Sequence, residues 1–367
     1  MIQKPPRIQD VARAAGVSTA TVSRALSNPE LLAEATRDAV AEAIRATGYR
    51  VNRAARNLRR RRAGAVLVLV PDLANPFFSQ ILAGISAGFA ASDRSVLISE
   101  TAGLPAGKRR LVDLFLDARI DGMISLDGGV GEAELGQLTD HQLADRIIFA
   151  CEWSDDAAIP SVRSDNAAGA RAAIRHLHDL GHRDIAHVTG PAGNVLTRAR
   201  RDAMLAERRR LDLPAREDWI IRGDFSLRSG HEAARSIVAM SDRPSAVFCA
   251  SDMVALGLVA GLTQAGLRVP EDISVVGFDD IEQSAYAIPA LTTVRQDRAG
   301  LGRRAAELLL CQLARLESSE TAGSVGLAAP ERPAAEILGV ELIVRASSAR
   351  PRRLSPERRE PSRAGSA

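Results

Sequence analysis

Between Ala65 and Val344 short apolar runs alternate with stretches of helical period, and few architectures tolerate that rhythm. Strands are expected at 66–70, 96–99, 122–126, 147–151, 185–188, 246–249 and 274–278, with amphipathic stretches such as 167–180 and 253–265 between them. Repeated strand–helix–strand units of this kind build parallel sheets covered by helices. The strands are too many for one comfortable sheet, and two sets of them flank a break near Ile159-Pro160. Two similar lobes with a cleft between them follow, and ligands in such folds bind beyond the carboxyl ends of the strands. A loop rich in Ser, Ala, Gly, Glu and Pro is expected over 317–335, then a last strand at 337–344. The Arg-, Ser- and Pro-rich tail, 347–367, has the composition of a disordered basic segment.

The amino-terminal stretch is of another kind. Val11, Ala12 and Ala15 repeat at helical spacing, Gly16 supplies the freedom for a sharp turn, and Val17 is the apolar plug beneath it. Ser18 then caps a second helix, on which Val22 and Leu26 lie four apart and face inward while Thr19, Ala20, Ser23 and Arg24 share the opposite face. Small polar side chains and one arginine suit a DNA major groove, where arginine can bond a guanine edge twice and hydroxyls reach phosphates or bases. Asn28-Pro29 breaks the pattern. A third helix over 34–47 follows, with Val40, Ala43 and Ile44 on one side and Gly48 at its end. The segment 52–62 is basic and helix-compatible, with Leu58 its one sizeable apolar side chain, and it can hardly fold alone.

Charge follows the same division. Residues 1–62 hold 13 Lys and Arg against 5 Asp and Glu, a net +8, which leaves −5 for the rest of a chain whose total is +3. Positive charge therefore sits where the helix-turn-helix does, and binding to DNA through it should depend strongly on salt. Cys151, Cys249 and Cys311 form no paired motif; the first two end apolar runs and are expected as small core residues. His176, His178 and His182 include one pair at one-turn spacing, too little for a metal site, so no metal is expected. No nucleophile elbow, phosphate loop or dinucleotide glycine motif stands in its required context, so neither an enzyme nor a cofactor is expected. A secreted solute-binding protein would carry a signal segment and no basic headpiece. The amino terminus has no such segment and no run reaches membrane-spanning length, which places the chain in the cytoplasm.

An ordered series of motifs resembles one family from about Ile8 to Arg345. Its marks are Asp10-Val-Ala, Ala15-Gly-Val-Ser and Thr21-Val-Ser-Arg24, then Gly48-Tyr49 and Asn52, Asn75-Pro-Phe-Phe78, Asp121-Gly122, Asp165-Asn166 with Gly169, Gly181-His-Arg183, Ser251-Asp252, Gly277-Phe-Asp-Asp280 and Leu291-Thr-Thr293. Together they resemble the LacI/GalR transcriptional regulators, which include the lactose and purine repressors. The resemblance implies a headpiece at 1–50, a hinge helix and linker at 51–62, and an effector-binding and dimerisation core at 63–346 similar to periplasmic sugar-binding proteins. It implies a homodimer on a near-palindromic operator, most simply a repressor, answering to a small polar effector. A sugar or sugar derivative is the first expectation for that effector, a nucleobase or nucleoside the second.

By position, Thr19, Ala20 and Arg24 would read bases, and Ser18, Thr21 and Ser23 would hold phosphates. Leu58 would wedge into the minor groove with Ala55 beside it, which accounts for a lone leucine in a basic segment. In the cleft, Arg200 and Asp279 would grip the effector, Phe78 and Phe225 would stack on it, and Asn75, Glu152 and Ser251 would form polar wall. The chain departs from the pattern in places. Ala20 replaces a larger base-contacting side chain, Ala33 stands where a Ser or Thr caps the third helix, and Glu152 occupies a position often held by Asp. Ala203-Met204 replaces a Gly-aromatic pair, and the tail lacks the leucine heptads that make a tetramer.

Overall fold

The computed structural model describes residues 6–50, 57, 62–101, 111–154, 159–322 and 335–352. They divide into two compact units, one ending at Gly64 and the other beginning at Ala65.

Among the described residues up to Arg50 the first unit holds α1 (Ile8–Ala15), α2 (Thr19–Ser27) and α3 (Glu34–Thr47), with a short 3-10 turn at Pro29–Leu31. Gly16 ends α1 in the left-handed region at φ 67°, which lets the Val17 N–H return to the Ala12 carbonyl at 3.0 Å. Val11, Ala12, Val22, Val40 and Ala43 form the core, with Val17, Leu26 and Ile44 packed against it. The α1 start is fastened by the Asp10 carboxylate, which accepts from the Arg7 N–H at 2.8 Å. At α3, Ala33 takes the N-cap position and no side chain accepts from the first turn. Ala55 and Leu58, expected in the hinge helix, lie outside the described residues.

The second unit holds two six-stranded sheets, whose strands are β1 (Ala65–Val70), β2 (Ser95–Glu100), β3 (Gly122–Ser125), β4 (Ile147–Ala150), β5 (Ser161–Ser164), β6 (Ile185–Val188), β7 (Ile220–Ile221), β8 (Ala246–Cys249), β9 (Ser274–Asp279), β10 (Thr292–Gln296), β11 (Ala335–Leu338) and β12 (Val340–Ile343). The first lobe is built on the order β11-β5-β4-β3-β1-β2 and the second on β12-β10-β9-β8-β6-β7. Pairings are parallel apart from β12, which runs antiparallel to β10. β1, β3, β4, β6, β8 and β9 are buried along their whole length, as parallel strands covered on both faces must be.

Several expectations change. The lobes do not part at Ile159-Pro160: β5 still belongs to the first sheet, and the chain crosses only after Ser164. The single last strand expected at 337–344 is two strands, which Gly339 separates and which join different sheets. The chain therefore passes between lobes near Asp165, near Asp297 and at Gly339. Residues 317–322, expected as the start of a loop, are helical, as part of helix Arg298–Ala322. The tail does not leave the fold at 347 either. Ser347 is buried, its hydroxyl donating to the Val275 carbonyl at 2.6 Å and accepting from the Thr292 N–H at 2.8 Å. Ala349 bonds Ser274 and His182. Residues 353–367 and 323–334 lie outside the described residues.

Helix Arg298–Ala322 returns from the second lobe to pack on helix Phe77–Phe89 of the first. A Cβ on Gly84 would sit 2.1 Å from the Ala299 carbonyl oxygen, and one on Gly302 would sit 2.0 Å from that of Ile81. Backbone contact is thus what requires glycine at both positions. No described helix is long and apolar enough to cross a membrane.

Supplying a hydroxyl acceptor by Ala33→Ser should stabilise α3 by about 0.5–2 kcal/mol. The expected readout is slower hydrogen exchange at the amides of residues 35 and 36; an unchanged rate would mean that α3 lacks no cap.

Candidate functional site

On the first unit, Ser18 caps α2 through its Oγ, which accepts from the Thr21 N–H at 3.0 Å and lies 2.9 Å from the Thr21 hydroxyl. That pairing fixes the helix start and leaves Thr19, Ala20, Ser23 and Arg24 exposed on one face, with Thr21 half-buried beside them. One exposed arginine among small side chains gives a surface that fits a groove closely and carries one long donor.

On the second unit, the carboxyl ends of strands from both lobes surround a cavity that is partly open to solvent. Asn75, Phe78, Glu152, Arg200, Phe225, Ser251 and Asp279 all line it, so the structure brings together every residue expected there. Phe77, Cys151 and Leu196 line it too and are not among the residues expected from sequence. Phe77 stands inside the Asn75-Pro-Phe-Phe78 motif, and Cys151 ends an apolar run that points only to strand core; Leu196 carries no signal apart from its place near Arg200.

Arg200 projects from helix Val195–Arg210 and is 1% exposed. Its Nε donates to Asn166 Oδ1 at 2.8 Å, Nη1 donates to the Ala250 carbonyl, and the guanidinium lies over the Phe278 ring at 3.8 Å from the centroid. Nη1 also approaches Asp279 Oδ1 at 3.7 Å. Nη2 is buried and has no hydrogen-bond partner. Burial lowers the Arg200 pKa, against the opposing pull of Asp279. Asp279 in turn is held by Gln296 Nε2 at 2.7 Å, and burial outweighs the nearby Arg200 charge so that its carboxyl is pushed up to about 7. A group poised there exchanges its proton near neutrality, according to what a bound molecule offers it.

The other wall is Glu152, whose carboxyl burial also pushes up. Its Oε2 accepts from the Gly128 N–H at 2.9 Å and its Oε1 from Asn194 Nδ2 at 2.8 Å. Ser251 caps helix Asp252–Gln264, and the buried Asp252 beside it accepts from Ser284 at 2.6 Å and from the Ile281 N–H at 3.0 Å. Asp252 thereby pins the loop that follows Asp279. Arg298 reaches across the lobes, from Nη2 to the Asp280 carbonyl at 2.8 Å and from Nη1 to that of Phe77 at 3.5 Å.

Three lining residues adopt left-handed backbone, Cys151 at φ 70°, Phe225 at 68° and Asp279 at 125°. Strain of this kind persists only where surroundings over-determine it, and it gathers at functional sites. Gly190 shows how: a Cβ there would lie 2.3 Å from Phe225 Cζ, so only glycine lets that ring into the wall. The histidines do other work. His182 lies 2.9 Å from the Ser245 hydroxyl and 2.8 Å from the Ala349 carbonyl, and His176 lies 2.8 Å from the Ser348 hydroxyl, fastening the carboxyl-terminal segment to the second lobe.

Residues 7–52 match the model of the bacterial regulatory proteins of the lacI family, and residues 174–348 that of a periplasmic binding protein-like domain. The HTH-type transcriptional repressor CytR of Escherichia coli (strain K12) is 36% identical over 306 residues, 83% of this chain and 89% of that protein. The chain belongs to the LacI family. The HTH-type transcriptional repressor PurR of Vibrio cholerae serotype O1 (strain M66-2) is 33% identical over 304 residues, covering 83% of this chain and 90% of that protein. Among solved structures, the lac repressor dimer bound to operator and the anti-inducer ONPF superposes with a TM-score of 0.77 at 31% identity, over 94% of this chain and all of that one. The LacI-family fold expected from the motifs, helix-turn-helix headpiece and two-lobed core, is the one observed, and these relatives are regulators of transcription, not enzymes.

The Asp279 carboxyl couples stability to pH. Its folded-state pKa lies above the ordinary carboxyl value, so its contribution to stability is intact below pH 4 and declines as pH rises toward about 7. Asp279→Asn should therefore be more stable than the parent at pH 8, on the order of a few kcal/mol, with the gap closing toward pH 4. Denaturant titrations at both pH values check this; a gap that widens on acidification would contradict it.

Proposed function

We propose that this LacI-family chain is an effector-controlled repressor that binds a near-palindromic operator as a homodimer in the cytoplasm. It acts by binding, without catalysis. Thr19, Ala20 and Arg24 face the bases, Ser18, Thr21 and Ser23 hold phosphates, and Leu58 with Ala55 opens the minor groove at the centre of the site. Partial unstacking there costs a few kcal/mol, offset by the contacts that bent DNA makes. The exposure of the α2 face supports the first part, and the dimer seen for the lac repressor on its operator supports the assembly.

The effector occupies the cavity between the lobes, held by Arg200 and Asp279 with Asn75, Phe78, Glu152, Phe225 and Ser251 around it. The observation that carries this is Arg200 Nη2, a buried donor without a partner beside a cavity. A buried unpaired donor is costly, and a ligand oxygen or ring nitrogen meets it. A donor and two carboxylates around one space suit a molecule with adjacent hydroxyls, so a sugar or sugar derivative comes first. Two phenylalanine rings, in a chain with only 3% aromatic residues, favour a flat-faced ligand such as a nucleobase or nucleoside as the second reading. Ligand binding changes the pose of the lobes and, through residues 51–62, the fit of the headpieces to DNA. By linkage DNA alters effector affinity by the same factor.

Arg24→Ala should weaken binding to a selected operator by about 1–3 kcal/mol while barely changing affinity for random DNA at the same salt. Titration of both DNAs by fluorescence anisotropy measures this, and equal losses would rule out base reading. For the cavity, thermal shift against monosaccharides, disaccharides, nucleosides and nucleobases should pick out one class that raises the melting temperature. That rise should vanish in Arg200→Lys and shrink in Phe225→Ala; a ligand whose effect survives both binds elsewhere.

A further inference from the structure

A side-chain hydrogen bond crosses the cleft at the cavity rim. Glu152 belongs to the first lobe, just after β4, and Asn194 to the second, at the N-cap of helix Val195–Arg210. Asn194 Oδ1 accepts from the Leu196 N–H at 2.8 Å and the Thr197 N–H at 3.3 Å. These two backbone donors fix which end of the amide is oxygen, so its nitrogen must face Glu152. Glu152 receives that nitrogen on Oε1 at 2.8 Å and the Gly128 N–H on Oε2 at 2.9 Å. The carboxylate is therefore aimed by one donor from each lobe. It is buried at 6% exposure, so losing either donor leaves an oxygen poorly compensated by solvent. Apolar contact across the same gap, Val195, Leu196 and Ile281 in one cluster with Phe77, Phe78 and Ile81, forms only if the lobes stay close.

We propose that Asn194 is a positioning residue for the cavity: by anchoring the Glu152 carboxylate across the cleft it sets how far the two lobes close. A ligand that leaves this pair intact is accepted with the rim shut. A ligand that needs Glu152 Oε1 for its own donor must displace Asn194 and open the rim, so the same bond sorts ligands. The link to ligand choice rests on the effector reading of the cavity. The closure itself needs no ligand, so the two ideas fail separately.

Hydrogen exchange with mass spectrometry on the full-length chain, with no ligand added, tests it. Asn194→Asp keeps the cap oxygen but sets carboxylate against carboxylate. Exchange in a peptide spanning 126–131, which contains the Gly128 amide in the other lobe, should quicken about tenfold, the scale of a lost bond to a charged group, while 195–198 stays protected. Glu152→Gln should do the same to 126–131, because one amide nitrogen then faces either Asn194 or Gly128. In the double variant, Glu152→Gln with Asn194→Asp, the amide introduced at 152 offers its oxygen to the Gly128 N–H and its nitrogen to the carboxylate introduced at 194. Every donor again meets an acceptor, and exchange should return to within about twofold of the parent. Single variants that leave 126–131 unchanged would overturn the proposal. So would a double variant as fast as the singles, since a merely local loss of packing is not cured by exchanging the two groups. If a single variant quickens every peptide, rescue by the double still supports the pair and its failure still refutes it.

Discussion

The buried guanidinium of Arg200 is the constraint around which the two-lobed core is arranged. An arginine does not shed its proton inside a protein, so placing one at 1% exposure obliges its surroundings to supply acceptors. The partners come from three elements. Asn166 opens helix Asn166–Asp179, Ala250 follows β8, and Phe278 and Asp279 end β9. Three elements are thus tied to the helix that carries Arg200 by one side chain, at the ends of strands where a doubly wound sheet naturally leaves a crevice. The acceptors satisfy Nε and Nη1 but not Nη2, and the Arg200 side chain lines the cavity.

The crossings between lobes bear on the same point. The first passes through Asp165, immediately before Asn166, which holds Arg200. The second passes between Gln296, which holds Asp279, and Arg298, which joins the Asp280 and Phe77 carbonyls. A change in the angle between lobes must turn the backbone at these crossings, and so must shift the groups that orient the cavity's charges. If the cavity holds the effector as proposed, closure and ligand grip are one mechanical event. An effector can bias the lobes only by as much as its contacts differ between open and closed forms. Contacts supplied from both sides of the cleft are the ones that differ.

Much of this was legible because it depends on patterns that sequence carries openly. Fully buried parallel strands need largely apolar runs, so the sequence predicts β1, β6, β8 and β9 nearly residue for residue. The turn chemistry of Gly16 and Ser18 located α1 and α2. The strands that escaped notice do not look like core. β5 reads Ser-Val-Arg-Ser and β10 reads Thr-Thr-Val-Arg-Gln, yet Thr292 and Thr293 are fully buried because their hydroxyls bond Ser348 and Asp252. The division of 335–343 between two sheets was hidden for a different reason. A strand that changes lobes has the same composition as one that does not, and only Gly339 marks the place. In the cavity, motif residues came through and their supports did not. Asn194, Gln296 and Arg298 act through bonds to residues in distant segments, which no local spacing reveals.

The cavity's carboxylates give the ligand question a physical direction. Burial, not repulsion from an acidic neighbour, is the largest cause raising both Glu152 and Asp279. A ligand hydroxyl or N–H placed against Asp279 does what water would have done for its charged form, and draws its pKa down from about 7. A ligand that brings donors therefore favours the carboxylate form, which pairs better with Arg200, so its binding releases a proton and tightens as pH rises. A ligand bringing acceptors meets Arg200 Nη2 but forces Asp279 to keep its proton. The site thus rewards a molecule that offers both in fixed geometry. Adjacent hydroxyls do this, each donating and accepting at once, and the two phenylalanine rings then cover whatever face of the molecule the polar groups leave bare.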